Sequence, residues 1–136
     1  MCIMKKSTIT AIFKADIEKV WEVVTNNNNY EWRSDLSKID VSADRSSFTE
    51  YTKDNFTTEF NITLKNPYER YEFDMTNKNM KGHWIGVFST DNNNGTKIEF
   101  TEEVFVNNPI MNLFVGKYLK KQQALYIADL RKELGE

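Results

Sequence analysis

The apolar positions of this chain change their period twice. Residues 8–14 alternate, with Ile9, Ala11 and Phe13 on one side, and predict a short strand. Behind Asp16 the spacing lengthens. Ile17, Val20, Trp21 and Val24 fall at i, i+3, i+4 and i+7, one face of a helix that the aspartate caps. The asparagine run 26–29 is a connector, and 30–33 predict one further helical turn. From there to residue 106 the period is two. Segments 35–44, 47–53, 55–65, 68–77, 80–90 and 96–106 each read as a strand. The alternation is clearest in 55–65, with Phe56, Thr58, Phe60, Ile62 and Leu64 on one face. In 68–77, Tyr71, Phe73 and Met75 oppose Arg70, Glu72 and Asp74. Segment 80–90 is apolar on both faces and contains Gly82 and Gly86, which inside a strand mark a bend or a close backbone approach. In 96–106, Ile98, Phe100, Val104 and Val106 share a face, and Glu102 lands on it too unless a bulge shifts the register. Asn66-Pro67 and 91–95 are turns.

The last segment, 109–136, returns to a period near 3.6. Asn108 can cap it, Pro109 suits the first helical position, and Gly135 closes the far end. At about 1.5 Å per residue such a helix runs roughly 39 Å. Met111, Phe114, Val115, Tyr118, Leu119, Leu125, Tyr126, Leu130 and Leu134 share one broad arc, and Gln122 falls near its middle. Closely spaced strands with short loops pair antiparallel, and a sheet with one apolar face needs a cover. The expected class is therefore α+β. A curved seven-stranded antiparallel sheet wraps around a long C-terminal helix, in the order β-α-α-β6-α, as one domain over residues 1–136.

Composition narrows the functions. A chain of 136 residues suits one domain with a real core. The net charge is −2 and no run of basic residues occurs, so nothing draws the chain to nucleic acid or to an anionic membrane surface. No stretch approaches the roughly 20 apolar residues of a membrane span. The opening residues lack the apolar core of a secretion signal, and the expected location is the cytoplasm. On that reading the Asn-x-Thr sequences at Asn55, Asn61 and Asn94 are chance occurrences. Cys2 is the only cysteine and His83 the only histidine, which excludes an internal disulfide, a thiolate cluster and a His-rich metal site. A Cys2–His83 pair has little weight, since Cys2 lies near a terminus. G-x-S-x-G, phosphate-loop, dinucleotide and H-E-x-x-H motifs are all missing. No metal and no cofactor is expected, and the expected assembly is a monomer or weak homodimer.

The opening STITAIFKADIEKVWEVVTN, the NYEWRSDL connector, NPYERYEF in mid-sheet, the hairpin HWIGVFSTDNNNGTKIEF and the closing helix together resemble the START-like, helix-grip superfamily, also known as SRPBCC. The likeness covers essentially the whole chain. It is greatest to the small bacterial polyketide cyclase/dehydrase and lipid-transport branch. The resemblance implies that the long helix crosses the concave face of the sheet and that a ligand cavity lies between them. It leaves function open, because one fold hosts many activities.

Within that frame the aromatic set Trp32, Phe60, Tyr71, Phe73, Trp84, Phe88 and Phe100 can wall a pocket for a small hydrophobic ligand, or simply fill a core. Gln122 can orient a polar ligand end, with Tyr118 and Tyr126 adding hydroxyls. Glu102 is the leading candidate for proton transfer, with Arg33 as its expected partner; the plainer alternatives, a bulge that turns it to solvent or a structural ion pair, are preferred. Glu50 carries a weaker version of the same argument. His83 is either a cavity acid–base group or, preferred, a hydrogen-bonded sheet residue facing away from it. The favoured function is binding or transport of a lipid, polyketide or aromatic metabolite. A cyclase or dehydratase using Glu102, Arg33, Gln122 and His83 comes second, and a protein-interaction role like that of the Hsp90 activators comes third.

Overall fold

The computed structural model describes residues 3–136, so Cys2 lies outside the described residues. The elements are β1 (Ile3–Phe13), α1 (Ile17–Thr25), β2 (Leu36–Val41), β3 (Ser47–Thr52), β4 (Thr57–Asn66), β5 (Arg70–Thr76), β6 (Met80–Thr90), β7 (Thr96–Val106) and α2 (Pro109–Glu133). The seven strands form one sheet in the order β1-β7-β6-β5-β4-β3-β2. Every pair is antiparallel. This is the α+β arrangement that the alternating pattern and the closing helix predict, and the helix-grip that the family resemblance implies.

Two local features differ from expectation. Residues 30–33 form no second helix. Arg33 N–H bonds to the Tyr30 carbonyl at 2.9 Å and the chain then turns away. Long-range bonds hold this connector instead: the backbone N–H and hydroxyl of Ser34 both donate to Asp129 Oδ2 of α2, each at 2.8 Å. In β4 the alternation breaks. Ile62 stands opposite Phe73 but Leu64 opposite Glu72, so an irregularity between them turns Leu64 to the outer face, where it is exposed.

α1 starts where Asp16 Oδ1 accepts from Lys19 N–H at 2.8 Å. It buries Val20, Val23 and Val24 and drives Trp21 edge-on into Phe88, with ring centroids 4.9 Å apart. Removing a side chain such as Val20, Leu119 or Leu130 fully from water contributes about 1.5–3 kcal/mol each. In β6 the absence of a side chain at Gly86 has a use. A Cβ there would lie 2.7 Å from two carbons of the Trp84 ring. The indole folds over this gap and stacks on Phe73, centroids 4.8 Å apart and planes 1° from parallel.

α2 has both predicted caps. Asn108 Oδ1 accepts from Ile110 N–H at 2.8 Å, and Pro109 occupies the first turn. At the other end Gly135 has φ +75°; its N–H bonds to Lys132 O and that of Glu136 to Arg131 O, the paired closure that a left-handed residue allows. The face it buries is rotated from the predicted arc and shares only Val115, Leu119 and Leu130 with it. Val115, Leu119, Gln123, Ile127 and Leu130 form the buried stripe, whereas Met111, Phe114 and Tyr118 are exposed. The helix packs mainly along β1 and β7, at one side of the concave face, and that position sets its rotation.

Candidate functional site

Because α2 lies toward β1 and β7, the concave face over β3 to β6 is only partly covered. A cavity of about 180 Å3 remains, bounded by the sheet, α2 and the connector after α1. Its wall includes Trp32, Phe60, Tyr71, Phe73, Trp84, Phe100, Tyr118 and Tyr126, all from the aromatic and tyrosine set expected from the sequence. Phe88 is not part of it. Its position two same-face steps beyond Trp84 along β6 puts it under α1 against Trp21, where it is core. The sheet aromatics lock one another. Phe48 stacks on Phe60 at 4.7 Å, Phe73 meets Phe60 edge-on at 5.2 Å, and Trp84 lies 4.6 Å from Phe100. The floor is therefore stiff and apolar.

Polar groups enter from three sides. From the connector comes Arg33, whose guanidinium lies 3.2 Å from Asp35 and 3.4 Å from Glu50 of β3, with its Cζ 4.9 Å from the Tyr126 ring centroid. Burial works against the charge on Arg33, but Glu50 and Asp35 outweigh it and the guanidinium is held above its ordinary value. Burial pushes the Glu50 carboxyl up, opposed by Arg33. The sequence expectation that Arg33 pairs with Glu102 is thus corrected: Glu50 and Asp35 take the guanidinium, because strapping Ser34 to Asp129 aims the connector at β3.

From β7 comes Glu102. Its register is unbroken on both sides, opposite Ser7 in β1 and Trp84 in β6, so no bulge turns it to solvent and it faces the cavity. This overturns the preferred expectation. Burial, then the charge of Glu50, raises its carboxyl to about 7, with Arg33 pulling the other way. No hydrogen bond to its carboxyl forms among the described residues.

From α2 come Gln122, Tyr118 and Tyr126, all on the cavity wall. Gln122 is partly exposed and its amide is not engaged by any hydrogen bond among the described residues. Its neighbour Gln123 lies in the buried stripe. Ser7 Oγ donates to Gln123 Oε1 and Gln123 Nε2 donates to the Ser7 carbonyl, both at 2.8 Å. Gln123, which the sequence pattern did not single out, clasps the helix to β1, and Gln122 is left to face the cavity. Burial raises the phenols of Tyr126 and Tyr118, the latter also through Glu102, and pushes Tyr71 up to about 12. Tyr71 Oη accepts from Asn27 Nδ2 at 3.2 Å.

His83 is on the other side of the sheet. Its ring nitrogens lie 2.7 Å from Glu72 Oε1 and 2.6 Å from Asp74 Oδ1, and Arg70 also bonds Glu72. Partial burial would lower the imidazole's pKa, but the two carboxylates prevail and raise it. His83 is part of an outer-face ion cluster, the plainer of its two expected roles, and has no access to the cavity. Of the four groups considered for proton chemistry, Glu102, Arg33 and Gln122 line one cavity. None is hydrogen-bonded to another.

No protein-family model and no curated protein matches the sequence. Solved structures do match the fold. The aromatase/cyclase Zhui from Streptomyces sp. R1128 superposes with a TM-score of 0.85 at 10% identity, covering 96% of this chain and 93% of that one. A START superfamily protein from Mycobacterium smegmatis gives 0.74 at 14% identity, over 96% and 95% of the two chains. Norcoclaurine synthase from Thalictrum flavum, solved with dopamine and hydroxybenzaldehyde, gives 0.74 at 10% identity over 98% and 87%. At these identities the likeness establishes the fold, which is START-like.

Proposed function

We propose that this START-like domain binds a small aromatic molecule of about one ring, held between the Phe73–Trp84–Phe100 floor and α2, with Glu102 and Gln122 meeting its polar group. The cavity's size and lining carry the reading. Ligand pockets combine apolar walls with a few unspent polar groups, and among the described residues the Glu102 carboxyl and the Gln122 amide are two such groups here. Volume selects among the ligand classes expected from the sequence. A protein cavity of about 150 Å3 accepts benzene. At about 180 Å3 this one suits a single substituted ring, and a lipid chain or multi-ring polyketide needs more room. The neighbours that handle aromatic compounds by name, an aromatase/cyclase and a synthase holding dopamine and hydroxybenzaldehyde, agree with the choice.

A thermal-shift series checks it. One-ring phenols and arylamines, naphthols, a three-ring anthraquinone and palmitate are compared at equal concentration. A one-ring ligand at about a hundred times its Kd adds about 2.7 kcal/mol and raises Tm by roughly 10 °C. Preference for palmitate or the three-ring compound would refute the size argument. No shift with any compound, together with no co-purifying mass in native mass spectrometry, would refute binding.

One observation favours a second reading, an enzyme that moves a proton on the bound ring. Among the described residues, Glu102 is the single carboxyl lining the cavity without an ion-pair partner, and its pKa of about 7 suits an acid–base catalyst at neutral pH. On this reading Arg33, already paired, and His83, on the far face, take no part.

A further inference from the structure

The first turns of α2 put apolar side chains where nothing among the described residues covers them. Ile110 is 69% exposed, Leu113 80% and Phe114 64%. At 100° per residue these three point away from the Val115–Leu119–Gln123 stripe, so they are directed outward rather than left over from the core. One to two turns further along, on the same outward side, stand Lys117, Lys120 and Lys121, all exposed. From residue 109 to 128 the helix contains no acidic residue, although the N-terminal end of a helix favours one. The adjoining sheet corner continues the pattern. Phe105 and Met4 are cross-strand partners, each more than two-fifths exposed, with Lys81 opposite Phe105. Glu103, two residues before Phe105, stands between Lys6 and His83.

We infer that this end of α2 seats on an anionic lipid bilayer, Ile110, Leu113 and Phe114 entering the interface tip-first while Lys117, Lys120 and Lys121 meet the headgroups. An apolar tip with a lysine collar one to two turns behind matches the depth profile of a membrane surface, apolar below and anionic above. A second copy of the chain is the poorer occupant. Two such helices face to face would oppose lysine with lysine and offer no helix carboxylate to either. The surface escaped the sequence reading because the three lysines are not contiguous and the net charge is −2; winding the helix gathers them. The inference is independent of the ligand reading, since neither the cavity nor its occupant enters it.

Co-sedimentation with vesicles tests it directly, with no ligand present. The protein should pellet with mixed phosphatidylcholine–phosphatidylglycerol vesicles, remain in solution with pure phosphatidylcholine, and be released by high salt. Replacing Lys117, Lys120 and Lys121 by Gln should weaken partitioning about fivefold per lysine. A Leu113→Ser, Phe114→Ser double variant should weaken it at least about tenfold. Circular dichroism and Tm should stay at wild-type values in both, because all five side chains are exposed. Three results would overturn the inference: no pelleting of wild type with anionic vesicles, pelleting that neither salt nor the lysine changes reduce, or a dimer in sedimentation velocity that the Leu113/Phe114 variant dissolves.

Discussion

Glu102 binds its proton more tightly in the folded protein than in the unfolded chain. Unfolded, it ionises near 4.5; in the cavity it does so at about 7. Between those values the native state carries the extra proton, so stability falls as pH rises through the window and levels off above it, by roughly 3 kcal/mol in all. Two other groups push the same way. His83, raised by Glu72 and Asp74, adds stability in full below about 6.5 that is lost as pH rises through its folded value, and the buried Glu50 is also raised. The contribution of Glu102 is therefore the difference between wild type and Glu102→Gln. The variant should melt higher above about pH 7 and show a flatter Tm profile between about pH 4.5 and 7. Parallel profiles would mean that the carboxyl is solvated. Its place on the apolar face was legible, because strand parity survives from sequence to structure in β7. Its lack of a partner was not. Arg33 is aimed by Ser34–Asp129, a contact across 95 positions that no local pattern encodes.

In α2 the caps and both ends were legible, since each depends on side chains within a few residues of the terminus. The rotation was not. Apolar residues occupy more than one side of this helix, and adjacent glutamines differ by about 100°. Which of Gln122 and Gln123 meets the sheet is decided by where β1 puts Ser7. The pair makes a clean comparison. Gln123→Leu leaves the buried Ser7 hydroxyl and carbonyl without their partner and should cost about 1–3 kcal/mol in urea denaturation. Gln122→Leu should leave the denaturation midpoint nearly unchanged and alter the ranking of one-ring ligands in thermal shift. The reverse assignment of effects would place the cavity-facing role on the wrong glutamine. The missing second helix has the same kind of cause: residues 30–33 have helical spacing, but Arg33 turns back on Tyr30 and pairs with Asp35 and Glu50, and the next residue, Ser34, is tied to a distant helix.

At the scale of the molecule, strand number, antiparallel pairing and the covering helix follow from alternation, short loops and one apolar face, and all of these are written locally. The cavity is not. It depends on how far toward β1 and β7 the helix sits, a property of the assembled sheet, and so the same aromatic residues could be read as pocket wall or as core. The structure divides them. Phe88 fills space beneath α1, while Trp84, two register steps nearer the centre, borders the void. The exposed start of α2 belongs to this scale too. An apolar residue is visible in a sequence; whether anything covers it is known only when the rest of the fold is in place.

The position of Trp84 makes the cavity optically readable. Its indole lies on Phe73 and directly across the strand from Glu102, whereas Trp21 projects from α1 onto Phe88 and Trp32, also on the cavity wall, is held in the connector by its bond to the Asn29 carbonyl. A carboxyl that exchanges its proton beside an indole changes the light the indole emits. The difference in tryptophan emission between wild type and Glu102→Gln should follow a single titration near pH 7. Trp84→Phe should abolish that difference, and an aromatic guest entering the void should shift or quench the same signal. A flat emission difference across that range would mean that the carboxyl does not titrate beside the indole. The protein's own fluorescence would then report occupancy and protonation of the site with no added label.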